Sequence, residues 1–154
     1  TLGNAGYEHY EISNFCRPGM YSRHNTSYWK GIPYLGCGPS AHSFNTDTRE
    51  WNISSLEDYI HSIENNHRRF ENEYLDRTTR YNECIMTSIR TKRGLSLNDL
   101  EREFGKELWQ YCMNMARPHL DSGKLEIRDI HLCLTRKGIF VAVSIMSDLM
   151  FIED

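Results

Sequence analysis

No stretch of this 154-residue chain approaches the roughly 18 apolar residues that a bilayer-crossing helix needs, so no membrane span is expected. The opening residues Thr1 to Ser13 hold neither a basic start nor an apolar run, so no secretory leader is expected. The chain begins on threonine rather than methionine, which suggests a boundary within a longer polypeptide. Paired cysteines are missing as well. Cys16, Cys37, Cys84, Cys112 and Cys133 are odd in number, scattered and without a C-x-x-C pair, as expected of reduced thiols in a cytoplasmic protein. The seven histidines include no H-x-x-x-H pair, and no Cys–His spacing suits structural zinc. A C-x-x-x-C-x-x-C run for a three-cysteine iron–sulfur cluster is also absent, so no catalysis that needs such a cluster is expected of this chain alone. Basic excess is lacking too. Residues 1–75 hold 6 Lys/Arg against 9 Asp/Glu and residues 76–154 hold 12 against 12, which disfavours a nucleic-acid partner.

What the chain does contain is apolar residues at regular spacing within a charged sequence, the mark of a globular protein. Its grammar changes near residue 70. Residues 1–53 are rich in Gly, Asn, Ser, Tyr and His, so short strands (Tyr7 to Ile12, Tyr34 to Gly36, Ser43 to Thr46, Arg49 to Ile53) and long loops are expected. A helix follows from Ser55 with Leu56, Tyr59, Ile60 and Ile63 on one face; Ser54 or Ser55 followed by Glu57 or Asp58 resembles a capping box at its start, and Glu64 to Glu73 reads as a linker. Asp76 can cap a helix to about Thr91, with Tyr81, Cys84, Ile85 and Ile89 inward. Ser96 can cap a short helix that Gly105 stops, and a third helix runs from Lys106 to about Leu120, bent or ended near Pro118, with Leu108, Cys112, Met115 and Ala116 inward. Leu125 to Leu134 reads as a hairpin. Thr135 then caps a last helix striped by Ile139, Val143, Met146 and Met150. The expected fold class is α+β: a strand-and-loop part over 1–70 and a mainly helical, winged-helix-like domain over 71–154.

Two segments carry candidate chemistry. Residues 23–29 (RHNTSYW) set His24, Asn25, Tyr28 and Trp29 close together; the rings offer stacking area for a flat ligand, and His24 could bind iron or a propionate. A local hydrogen-bonding device with two core aromatics explains the same residues. In Tyr34 to Phe44, Gly36 and Gly38 let backbone amides approach a ligand, with Ser40, His42 and Ser43 adding polar contacts. A tight strand-to-loop turn accounts equally well for that G-x-G, which lacks the remainder of a dinucleotide motif. His61 and His67 read as solvated, and His131 as facing outward on the wing.

The stretch Ala5 to Gly19 resembles the "GY-x-x-YEISNFA-x-PG" segment that ends the catalytic domain of radical-SAM oxygen-independent coproporphyrinogen III oxidases and their relatives. His24-Asn25-Thr26-Ser27-Tyr28-Trp29 matches the H-N-x-x-Y-W motif of the haem-chaperone (HemW-like) branch. Tyr34 to Phe44 resembles the family's "LG-x-G-x-SA-x-S" loop, and Trp51-Asn52 with Leu56-x-x-Tyr59 its following strand and helix. Glu83 to Arg90, Gly94 to Leu97, Phe104-Gly105 and Leu134-Thr-x-x-Gly138 resemble the family's helical C-terminal domain.

The resemblance implies that residues 1–70 close the edge of an incomplete radical-SAM barrel, with 71–154 as its C-terminal companion. It implies S-adenosylmethionine and a [4Fe–4S] cluster held by upstream residues, and haem passed to haem-accepting apoproteins, a membrane-associated acceptor included. His24, Asn25, Tyr28 and Trp29 would face haem; Gly36, Gly38, Ala41 and His42 would lie near S-adenosylmethionine, the last two through backbone contacts. Exposed strand edges suggest a homodimer. Three other readings stay open: a true coproporphyrinogen III oxidase, a purely structural barrel cover, and a winged-helix nucleic-acid binder. The near-neutral helix face Lys106, Glu107, Gln110, Asn114 and Arg117 argues against the last.

Overall fold

The computed structural model describes residues 1–152. The chain forms two compact units: residues 1–30 pack with the chain from Arg77 onward, and Gly31–Asp76 form the second. After a 3-10 turn, β1 (Glu8–Glu11) and β2 (Asn14–Cys16) make an antiparallel hairpin, with Glu8 opposite Cys16 and His9 opposite Phe15. The segment Arg23–Trp29, expected as a loop, is a helix, α1. Ser22 starts it, accepting a hydrogen bond from the Asn25 N–H at 3.2 Å.

In the second unit, β3 (His42–Phe44), β4 (Thr48–Asn52) and β5 (Phe70–Tyr74) form an antiparallel sheet in that order. Helix α2 (Leu56–Glu64) joins β4 to β5, and the Ser55 hydroxyl accepts from Asp58 N–H at its start, as the sequence indicated. The expected strand at Tyr34 to Gly36 shrinks to a single bridge between Tyr34 and Phe44. The expected linker over Glu64 to Glu73 contains most of β5, whose five side chains are all exposed; without a buried face it shows no period-two signal. Burial here is mostly polar. Ser43, Asn52, Ser62 and Leu75 are buried, whereas Leu56, Ile60 and Ile63 of the apolar stripe are exposed.

The rest of the first unit runs α3 (Arg77–Ile89), β6 (Leu95–Ser96), α4 (Leu97–Asp121), β7 (Leu125–Arg128), β8 (His131–Leu134), α5 (Arg136–Ile139) and α6 (Ala142–Leu149). The sheet order is β6-β8-β7, all antiparallel, which with the helices gives the expected α+β, winged-helix-like layout. Ser96 caps α4 through the Asp99 N–H, and Gly105 breaks it, at φ 73° and ψ 171°, where an L side chain is disfavoured. The core joins Ile85 and Ile89 of α3, Phe104, Leu108 and Cys112 of α4, Leu125, Leu132, and Ile145 and Leu149 of α6. Each such aliphatic side chain stabilises the fold by about 1.5–3 kcal/mol. Tyr81 lies within this core, its ring edge-on to Phe104 and its hydroxyl donating to the Leu149 carbonyl at 2.9 Å.

Several details depart from the sequence reading. Residue 70 does not divide the compact units, because residues 1–30 pack with the helical part. Helix α4 runs to Asp121, close to the expected end near Leu120, with Pro118 inside its last turn; Met115, expected inward, is exposed. Cys84 is only partly buried. The last helix breaks at Phe140-Val141, which shifts its buried stripe to Ala142, Ile145, Met146 and Leu149 and leaves Val143 exposed.

One contact fixes the N-terminal hairpin to α3. Glu11, 2% exposed, accepts from Arg90 Nε at 2.6 Å, from Ser13 N–H at 3.0 Å and from the Asn14 amide. Backbone bonds flank it, from Ile12 N–H to the Arg90 carbonyl and from Lys92 N–H to the Tyr10 carbonyl. Burial opposes ionisation of Glu11, but the donors Asn14, Ser13 and Arg90 outweigh it and hold the carboxyl below its ordinary value. A lowered folded-state pKa contributes stability that is complete above the unfolded value of ~4.3 and is lost as pH falls through the folded one. Stability to urea should therefore drop as pH falls from 6 to 3, and Glu11→Gln should flatten that slope. Parallel slopes in the two proteins would contradict this role.

Candidate functional site

Helix α1 is short, and side-chain bonds to its own backbone help hold it. Thr26 Oγ1 donates to the Ser22 carbonyl at 2.6 Å and Ser27 Oγ to the Arg23 carbonyl at 2.9 Å. His24 and Tyr28 stand one turn apart on its exposed face, with ring centroids 4.9 Å apart and edge-on. Asn25 and Trp29 are half-buried. The Trp29 ring therefore backs the helix instead of offering a stacking face: it meets Tyr10 of β1 edge-on at 5.8 Å. Tyr10 also meets Tyr21 at 5.3 Å, and the Tyr21 hydroxyl donates to Glu8 at 2.7 Å. That bond holds the Glu8 carboxyl low and raises the Tyr21 phenol. The arrangement sets out an imidazole and a phenol together, suited to ligating a metal or bonding an acidic group of a flat ligand.

The sequence reading missed Tyr10 and Tyr21. Their signal is the alternation of β1, which turns Glu8 and Tyr10 to one face, where both meet Tyr21.

In the second unit, the loop before β3 is tied inward. Gly36 N–H donates to Ser43 Oγ at 3.0 Å, Gly38 N–H to the Tyr59 hydroxyl at 3.1 Å, and Ala41 N–H to the Gly38 carbonyl at 3.2 Å. The amides expected to meet a ligand are thus already paired. A side chain at Gly36 would collide with the His42 carbonyl, so close backbone approach is what this glycine serves. Asn52, 1% exposed, is the hub: its amide donates to the carbonyls of Gly36 at 3.3 Å and Gly38 at 2.8 Å, and its oxygen accepts from Arg68 Nε at 2.9 Å. Of Gly36, Gly38, Ala41 and His42, only His42 is exposed; its ring lies 5.8 Å from that of Trp51.

Comparison with known proteins gives a consistent result. Residues 75–141 match the HemN C-terminal domain. The "Heme chaperone HemW" of Mycobacterium tuberculosis is 31% identical over 97% of this chain and 36% of its own length. That of Bacillus subtilis is 27% identical over 86% of this chain and 35% of its own. The chain belongs to the HemN/HemW-like radical-SAM family. It spans about a third of the length of these curated relatives. The structure of coproporphyrinogen III oxidase (HemN) from Escherichia coli shares the fold, with a TM-score of 0.70 at 17% identity, over 97% of this chain and 38% of that one.

The radical-SAM character of the HemN/HemW relatives implies S-adenosylmethionine and an iron–sulfur cluster in full-length members. The residues here do not fit the cluster. No group of three or more potential ligands exists among the described residues, and burial pushes the Cys84 and Cys112 thiols up to about 11, against the thiolate form a cluster requires. The amides of Gly36, Gly38 and Ala41 are each hydrogen-bonded within their own loop and its neighbours.

Replacing Asn52 by Ala strips partners from Arg68 and from two loop carbonyls, at an expected cost of about 2 kcal/mol. Hydrogen exchange at the Gly38 and Ala41 amides should then quicken by roughly 30-fold. Exchange unchanged within twofold would show that Asn52 does not hold the loop.

Proposed function

We propose that this chain serves in a haem chaperone, with α1 presenting His24 and Tyr28 to haem, the cargo passed to haem-accepting apoproteins. The observation that carries the reading is the edge-on pair of exposed His24 and Tyr28 rings one turn apart on a capped helix. A neutral imidazole is a suitable axial ligand to iron, and a neighbouring phenol can bond a propionate. Identity of 31% to a relative named a haem chaperone supports it, as does the match of His24 to Trp29 to the branch motif.

On this reading Asn25 and Trp29 set the helix rather than touch haem. S-adenosylmethionine and the cluster lie with residues outside this sequence, and His42, rather than the paired amides, is the group of its loop able to meet a ligand. The compartment is the cytoplasm, where the unpaired cysteines stay reduced. Decarboxylation of coproporphyrinogen III is the competing activity, and it needs no iron-bound imidazole in the H-N-x-x-Y-W helix.

Haem titration of the protein, followed by its Soret band, tests the proposal. His24→Ala should shift the band and weaken haem binding at least tenfold, and Tyr28→Phe should weaken it about threefold without moving the band. Wild-type affinity and spectrum in both variants would remove α1 from the haem site.

A further inference from the structure

Nothing in α1 alone fixes the direction of its His24–Tyr28 face. The helix has seven residues, too few to be stable by itself. Its orientation must come from what it packs on. Two aromatic residues bracket it, Tyr21 immediately before the capping Ser22 and Trp29 at its last position, and one ring touches both. Tyr10, 8% exposed, meets Tyr21 edge-on at 5.3 Å and Trp29 edge-on at 5.8 Å. Its backbone is fixed in turn, because the Tyr10 carbonyl accepts from Lys92 N–H at 2.9 Å beyond the end of α3, and the neighbouring Glu11 is paired with Arg90.

We propose that Tyr10 is a positioning residue for the haem-facing pair: its ring clamps both ends of α1 and so sets where the His24 imidazole points. The claim rests on the haem reading of α1, but the clamp itself can be tested without haem. Edge-to-face contacts depend on ring geometry and not only on apolar volume. The ring therefore acts, and the hydroxyl does not. The ring contacts of Tyr10 run to Tyr21 and Trp29, and it acts through those two. Tyr21 is held from a second side by the bond from its hydroxyl to Glu8, whose carboxylate lies 3.6 Å from Lys92 Nζ.

The experiment compares Tyr10→Phe, Tyr10→Leu and Tyr21→Leu with His24→Ala in the full-length protein. Tyr21 is 45% exposed, so Tyr21→Leu keeps the test available if Tyr10→Leu does not fold. In the absence of haem, Tyr10→Leu and Tyr21→Leu should speed hydrogen exchange of the Thr26 and Lys30 amides about tenfold, while Ile85 and Ile89 amides of α3 keep their rates. Tyr10→Phe should match wild type. With haem, the two Leu variants should lower affinity about fivefold and move the Soret band toward that of His24→Ala, and Tyr10→Phe should restore both. Unchanged exchange in both Leu variants would overturn the clamp. Faster exchange with normal haem binding, in a protein that His24→Ala does weaken, would overturn the positioning role. Faster exchange with haem binding indifferent to His24→Ala as well would keep the clamp and sink the haem reading instead.

Discussion

A carboxylate removed from water stays ionised only where donors surround it, and Glu11 has three, supplied by Ser13, Asn14 and Arg90. Two of these are local and would exist in an isolated hairpin. The third comes from 79 residues away, at the end of α3, and it decides what the hairpin packs on. With Glu11 against Arg90, the strand lies where Tyr10 can accept from Lys92 and Ile12 can donate to Arg90. Helix α1 is then carried, through Tyr10, on the unit that contains the matched HemN C-terminal domain. The charge pair is costly to bury, so its value is placement more than net stability.

The two compact units are held by different physics. From Arg77 onward, Tyr81, Ile85, Leu108, Leu132 and Ile145 form a continuous apolar core of the ordinary kind. Gly31–Asp76 buries Ser43, Asn52 and Ser62 and leaves the Leu56, Ile60 and Ile63 stripe exposed. Its order comes from hydrogen bonds radiating from Asn52 and from strand pairing, each of which contributes only about 1 kcal/mol net. An interior made this way is specific in geometry. It has little apolar burial to resist local opening.

Much of the helical unit was legible because its signals are local. Ser55, Ser96 and Thr135 cap helices where the sequence placed them, Gly105 breaks α4, and the hairpin turns at Asp129-Ile130 between its alternating strands. What escaped depends on tertiary context. The seven residues of α1 lack an apolar period, β5 buries neither face, and the turn at Phe140-Val141 shifts a stripe that periodicity alone had continued. At the candidate site, residue types pointed to His24 and Tyr28, but their adjacency follows only once the segment is helical. The same segment turns Trp29 inward against Tyr10, which no pattern in residues 23–29 signals. The Gly36 and Gly38 amides looked open in sequence because their partners, Ser43 and Tyr59, lie 7 and 21 residues further on.

The coupling of Glu11 to Arg90 joins the site-bearing segment to the helical unit. A double-mutant cycle of Glu11→Gln and Arg90→Met, read by equilibrium urea unfolding at pH 7, measures that coupling directly. The structure predicts an interaction energy of about 1–3 kcal/mol between the two positions. Losses that add to within about 0.3 kcal/mol would mean that the pair does not hold the segment in place.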